Sequence, residues 1–373
     1  MFEAIKHLPL YLAAPALLAA CSHRPPPDFV PDPGLVAHIR SIELRAPQTA
    51  CPGNGFPVTY AAVLDDGSRV PFESRYDKKH PPQLHVVFLQ RESPEATPLE
   101  GGGWAADRDP LVSVQTGFRL RAALRAKPTI AESVTVAPTY DCMGHALSFS
   151  GASGSGGRDG GDGPDVTVRL ALGHSAFYER LLVIGVEVGV APPFFLLADP
   201  DAVPPREWLV VESHGGSGGR GQAGGAGPSG SAGAAGSCPG ADGEPGMDGQ
   251  GGRRGGDGGR GGRITIIAPT ENPFLAGLVD ARTPGGDPGP GGSGGKGGAG
   301  GAGGAGGTDR DGKSCLGGRR GVAGRTGDAG IGGRAGIDGP RPTVITVPSR
   351  DVFGTRAPVE LLEVLERSDR RRP

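Results

Sequence analysis

The sequence predicts a mostly β chain in two parts: a small β-sandwich, then a second β domain from which glycine-rich hairpins project. Three observations carry this. Residues 35–144 break into short runs of alternating apolar and polar residues with turn residues between them. From 145 to 348, strand-like runs alternate with stretches in which glycine recurs at every third position. Two of those stretches share one plan: a strand, eight glycines three apart, an interruption bearing one cysteine, eight more glycines, and a strand.

The chain opens with Lys6 ahead of an apolar run from Leu8 to Ala20, too short for a membrane-spanning helix and suited to a secretory signal over residues 1–20. The run closes Leu18-Ala19-Ala20-Cys21. This resembles the lipobox of bacterial lipoproteins, which implies that Cys21 is lipidated and anchors the chain in a membrane. Ser22, rather than aspartate, follows the cysteine. In Gram-negative lipoproteins that resemblance implies the outer membrane. The proline-rich residues 21–34 then read as a semi-rigid tether.

The next region supplies five strand-like runs, among them FPVTYAAVLDDGSRVPF and ESVTVAP. Its layout, above all Val58-Thr59-Tyr60-Ala61-Ala62-Val63-Leu64-Asp65-Asp66-Gly67, resembles bacterial immunoglobulin-like modules. Export implies an oxidising compartment. With Cys21 lipidated, four cysteines remain and three pairings are open. Cys51 follows the first strand of the sandwich and Cys142 its last, a placement that would staple the module.

In the second domain, strands are expected near 145–150, 166–172, 180–188, 207–213, 263–268, 277–282 and 343–348, with glycine hairpins at 151–163, 215–262 and 285–340. A period of three fits neither an α-helix nor a strand. It fits a polyproline-II-type helix with about 3.1 Å rise per residue, so an arm of about 22 residues spans roughly 70 Å. Glycine at every turn leaves a bare ridge where another backbone can lie close. A collagen-type trimer would use such a ridge, but it calls for more proline than these runs contain. Repeated second glycines, as in GGSGGKGGAGGAGGAGG, suit a bundle in which one arm has several neighbours. The runs resemble the antiparallel polyglycine-II helices of the snow-flea antifreeze protein and of some phage tail-fibre tips. Equal arms bring the two interruptions to one height, so Cys238 and Cys315 are expected to pair. In the chain-entropy account such a closure contributes up to roughly 4 kcal/mol. At whole-chain level the pattern resembles collagen-like bacterial lipoproteins. That resemblance implies an architecture rather than an activity.

Several motif matches lack their context. Residues 307–314, GTDRDGKS, satisfy the phosphate-loop pattern, but neither the preceding strand nor the following helix is there. They read as the polar tip of the second hairpin, so no nucleotide is expected. Gly216-Ser-Gly218-Gly-Arg-Gly221 follows a strand but leads into more glycine rather than a dinucleotide-fold helix. GGDGPDVTV approaches a calcium nonapeptide in a single copy, so Asp159, Asp162 and Asp165 are expected to be solvated. The histidines form no metal spacing, and no serine sits in a nucleophile elbow. Neither catalysis, nor a cofactor, nor a metal is expected. A formal charge of −2 with Arg and Asp intermixed argues against nucleic acid. Residues 349–373 read as a short helix and basic tail.

The expectation is therefore a non-enzymatic, lipid-anchored outer-membrane protein with a structural, adhesive or partner-binding role. Its contact residues would lie at the hairpin tips, Pro239, Asp309, Arg310 and Lys313, and would meet an envelope or surface partner such as a glycan. The alternatives are a collagen-like trimer and, from another class, an ice- or surface-binding protein. Charged third positions such as Arg220, Arg253, Arg254, Asp257, Arg319 and Arg325 weigh against the last.

Overall fold

The structure, a computed structural model, describes residues 25–354 and 357–369. Cys21, the signal segment and the end of the basic tail lie outside them. The chain divides into two compact units after Thr139. Both are mostly β, as the sequence predicts.

In the first unit, α1 (Pro33–Ala37) leads into β1 (Ile39–Arg45), β2 (Thr49–Ala50), β3 (Gly55–Phe56), β4 (Thr59–Leu64), β5 (Arg69–Glu73), β6 (Leu84–His85), β7 (Leu89–Glu92), β8 (Ala96–Pro98) and β9 (Trp104–Ala106). After α2 (Pro110–Ser113) come β10 (Phe118–Leu124) and β11 (Lys127–Pro138). Two four-stranded sheets, ordered β1-β4-β5-β6 and β2-β11-β10-β7, share one apolar core, and β3-β9-β8 form a third small sheet. Trp104, Phe118 and Leu120 are wholly buried there. The Trp104 indole N–H donates to the Tyr60 hydroxyl (2.7 Å), which donates to the Gly102 carbonyl (2.9 Å), so both polar ends are satisfied inside apolar surroundings. Glu95 is 2% exposed. Its carboxylate pairs with Arg119 and accepts from the Thr116 hydroxyl and the Arg119 backbone N–H.

The second unit contains β12 (Ala146–Ser150), β13 (Val166–Gly173), β14 (Leu181–Val188), β15 (Phe194–Ala198), β16 (Leu209–His214), β17 (Ile264–Pro269), β18 (Val279–Arg282) and β19 (Thr343–Val347). β15 is absent from the sequence-based reading. Phe194-Phe-Leu-Leu-Ala198 is a continuous apolar run with no alternation to mark it as a strand. The sheet β12-β16-β18 is parallel throughout. The sheet β15-β14-β13-β17-β19 is parallel across β13, β17 and β19. The two sheets enclose Val168, Leu170, Ile184, Val211 and Ile266. The C-terminal helix α3 (Val359–Asp369) buries Leu361 and Val364, and the Val364 carbonyl accepts from the His174 N–H (3.1 Å).

Cys142 follows β11, the last strand of the first unit, as expected, and the division between the units falls just before it, after Thr139. Cys51 and Cys142 are both disulfide-bonded. Asp159 and Asp162 are exposed, as expected, and their carboxylates also reach a neighbouring arm. Each accepts a backbone N–H, from Asp257 (2.6 Å) and Arg260 (2.9 Å) respectively.

Candidate functional site: the glycine arms and their tip

Six glycine arms grow out of the strands: arm I (151–155), arm II (158–163), arm III (215–236), arm IV (240–262), arm V (285–307) and arm VI (318–339). β12, β16 and β18 run directly into arms I, III and V, while arms II, IV and VI run directly into β13, β17 and β19. Each hairpin therefore leaves one sheet and returns into the other.

The arms keep the order of their strands. Arms I, III and V form one parallel layer. The Gly151 N–H donates to the His214 carbonyl, and from Gly215 to Pro284 through Gly236 to Ala305 the glycines of arm III donate to arm V every third residue at 2.8–3.0 Å. Arms II, IV and VI form a second parallel layer, with bonds from Gly240 to Leu316 through Gly261 to Ile337. Between layers the arms are antiparallel. Arm IV donates to III, V to IV and VI to V, as in Gly256 to Gly219, Gly289 to Gly256 and Gly321 to Gly301 (2.8–2.9 Å). Past the short hairpin, arm IV thus uses two N–H groups and one C=O group per triplet, and arm V one N–H group and two C=O groups.

Glycine marks where a neighbour lies. A Cβ at Gly300 would collide with the Gly321 carbonyl of arm VI, and one at Gly301 with the Ser231 carbonyl of arm III. Arm V has neighbours on both sides along its length, and it reads Gly-Gly-x almost throughout. Arms III and IV carry a second glycine mainly near the base, where the short arms I and II flank them. Gly216 faces Ala152, and Gly256 and Gly259 face Arg158 and Gly161. Past the end of the short hairpin the equivalent positions become Gln222, Pro228 and Ser231 on arm III, and Arg253, Gln250, Met247 and Glu244 on arm IV. Arm VI, at the edge, is almost wholly Gly-x-x.

Sequence reasoning missed a set of aspartate links in the second layer. The carboxylates of Asp242, Asp248 and Asp257 on arm IV accept the backbone N–H groups of Arg319, Arg325 and Arg334 on arm VI at 2.6, 2.6 and 2.7 Å. Asp338 accepts from the Gly285 N–H in the same manner (3.0 Å). The signal was available: the three pairs share one separation of 77 residues. The Arg334 N–H bond, with the nearby Arg254 charge, holds the Asp257 carboxyl below its usual range.

At the far end, Cys238 and Cys315 are joined by a disulfide, with Cα atoms 5.4 Å apart and a sequence separation of 77. The first turn contains a cis Cys238–Pro239 bond. The second closes through a Thr308–Ser314 bridge, with Gly312 at φ +77. The Asp309 carboxylate accepts the N–H groups of Asp311 (3.0 Å) and Lys313 (2.8 Å). In this GTDRDGKS loop a carboxylate therefore fills the place where a phosphate would need bare amides. Pro239, Asp309, Arg310 and Lys313 are all exposed, on the two turns that the disulfide ties together.

The outward positions of the two layers differ. Outward positions toward the tip are Ala223, Ala226, Ser229, Ala232 and Ala235 on arm III, and Ala299, Ala302 and Ala305 on arm V, all exposed. Of the six charged third positions weighed above, only Arg220 lies in this layer. Arg253, Arg254, Asp257, Arg319 and Arg325 belong to arms IV and VI.

Elsewhere, a shallow cleft of about 520 Å³ is lined by Asp32, His38, Asp65 and Asp66. His38 Nδ1 lies 3.3 Å from Asp65 Oδ2 with both side chains exposed, and hydrogen bonds from the Ser68 hydroxyl and N–H lower the Asp66 pKa. The first contact ties the start of β1 to the turn after β4, and the second lies within that turn. Among the described residues no group of three or more His, Cys, Asp or Glu could hold a metal, and no helix is long and apolar enough to cross a membrane. Comparison with protein-family models, with curated proteins and with solved structures finds no match for this chain.

Proposed function

We propose that this chain is a structural and adhesive protein of a bacterial outer membrane, held by lipid at Cys21, which carries a stiff glycine-arm spike and meets its partner through the tip. The observation that carries the reading is the covalently tied end of the bundle. Arms that bury little apolar surface are cross-linked backbone to backbone, and their two turns are joined by Cys238–Cys315. Such a device holds exposed polar groups, Asp309, Arg310 and Lys313, in one place far from the base. The class of partner is an envelope protein or a glycan. The glycine ridges that a collagen-type trimer needs are filled by arms of the same chain, which speaks against that alternative.

The test is binding of the mature protein to cells and envelope fractions. Replacing Asp309, Arg310 and Lys313 together with alanine, disulfide retained, should abolish binding. Undiminished adhesion would sink the tip reading. For the anchor, Cys21→Ala should move the chain from the membrane to the soluble fraction.

One observation favours a second reading. The small side chains of arms III and V make a face with little charge, as contact with a flat solid such as ice requires. Thermal hysteresis in the purified protein would support it, and its absence would remove it.

A further inference from the structure

In the first unit a basic loop lies beside the start of the described chain. Between β5 and β6 the sequence reads Ser74-Arg75-Tyr76-Asp77-Lys78-Lys79-His80, and Arg75, Lys78 and Lys79 are exposed. The one carboxylate of the loop is engaged within it. Asp77 accepts the Lys79 N–H (2.9 Å) and lies 3.4 Å from His80 Nδ1. No ion pair among the described residues takes up Arg75, Lys78 or Lys79. The loop is therefore a local excess of positive charge on a chain whose formal charge is −2.

The N-terminal segment is packed against this loop. The Phe29 ring meets that of Tyr76 edge-on at 5.0 Å and stacks at 5.2 Å on Phe88, a member of the core. Four residues earlier, Pro25 lines a cleft of about 180 Å³ together with Ser74, Val87, Arg91, Glu100 and Arg125. Arg91 donates there to the Leu99 carbonyl (2.8 Å) and Arg125 to the Val87 carbonyl (2.9 Å), so carbonyls rather than carboxylates hold both cations. Cys21, where the proposed lipid sits, is four residues before Pro25. Four residues span at most about 14 Å. The membrane surface must then lie within about that distance of Pro25, close to the roughly 8–10 Å over which charges act at moderate salt. We infer that Arg75, Lys78 and Lys79 form a membrane-facing surface that binds anionic phospholipid headgroups of the membrane holding the anchor. The inference rests on the anchor reading: lipid supplies the hold, and the basic loop supplies a second signal that turns this side of the first unit toward the bilayer.

The experiment replaces the lipid with a chelated tag, so that it does not depend on lipidation. The full mature chain, with Cys21→Ala and a polyhistidine tag ahead of it, is bound to phosphatidylcholine vesicles holding a nickel-chelating lipid, with and without phosphatidylglycerol. Apparent affinity should be higher on the phosphatidylglycerol vesicles by roughly tenfold or more at low salt, and the advantage should fade as salt rises. Arg75→Glu, Lys78→Glu and Lys79→Glu together should remove it, whereas Lys78→Arg with Lys79→Arg should keep it. The three side chains are exposed, so far-UV circular dichroism should be unchanged. Equal affinity for the two kinds of vesicle, or an advantage that survives the triple reversal, overturns the inference. Lipidation is read separately, by the fractionation of Cys21→Ala in cells, so failure of the anchor and failure of the surface give different results.

Discussion

The base and the arms of the second unit are built from the same chain segments, yet they are held together in different ways. In the base, side chains interlock: Leu209, Val211, Ile264 and Ile266 are buried between two sheets. A few residues further along, the same segments have no side chains between them, and carbonyl oxygens meet glycine N–H groups at 2.7–3.1 Å. The base derives its stability from apolar area removed from water. The arms gain little by that route and spend much backbone entropy on ordering, since glycine loses more freedom than any other residue. Their order rests on a hydrogen-bond lattice that repeats every third residue, on a base that sets the spacing of the arms, and on a covalent tie at the tip.

That contrast can be broken at points of decreasing consequence. Leu209→Ala should cost about 2–5 kcal/mol, because it empties a fully buried site. Calorimetry should show the base and its arms lost together. Cys315→Ser should cost up to roughly 4 kcal/mol in the chain-entropy account. Hydrogen exchange should quicken first in the arm amides nearest the tip, and protection that stays uniform along the arms would mean the lattice alone suffices. Gly297→Ala should cost about 1–3 kcal/mol or more, because the new Cβ meets the Gly324 carbonyl. Its neighbour Ala299→Ser points outward, and a change within about 0.5 kcal/mol in urea titration is expected. In the base the costly change removes atoms, whereas in the arms it adds one.

The smallest effect concerns the aspartate links. Asp257 has a lowered pKa in the folded chain, chiefly from the Arg334 N–H. Its contribution is therefore present above the unfolded carboxylate value, near 4, and is lost as pH falls through the lower folded value. Acid titration of Asp257→Asn against the parent should give curves that differ above about pH 4 and converge below it.

How much of this could be read in the sequence differs between the two parts. The three-residue period, the position of both turns and the pairing of Cys238 with Cys315 all followed from glycine spacing. That spacing is legible because a single steric rule, no Cβ at the contact, governs every position. The layer order was not recovered, although it too was written there. Gly-Gly-x along arm V and Gly-x-x along arm VI distinguish a flanked arm from an edge. The strand Phe194–Ala198 gave no such signal, since a strand buried on both faces loses its alternation. Asp159 and Asp162 are exposed, as expected, but the backbone N–H groups their carboxylates accept come from an arm 98 residues away, which local spacing does not reveal.

The constant offset of 77 residues between arms IV and VI also sets a rule for how this molecule could change in length. A single inserted residue in one long arm would put every later glycine out of step with its carbonyl. Even a whole triplet added to one arm would leave its partners short at the turn. Growth comes free of frustration only when arms III, IV, V and VI each gain three residues together, raising the tip by about 9 Å at the rise of such a helix. The spike behaves as a ruler with coarse graduations, and its height is a count of triplets rather than a continuous dimension.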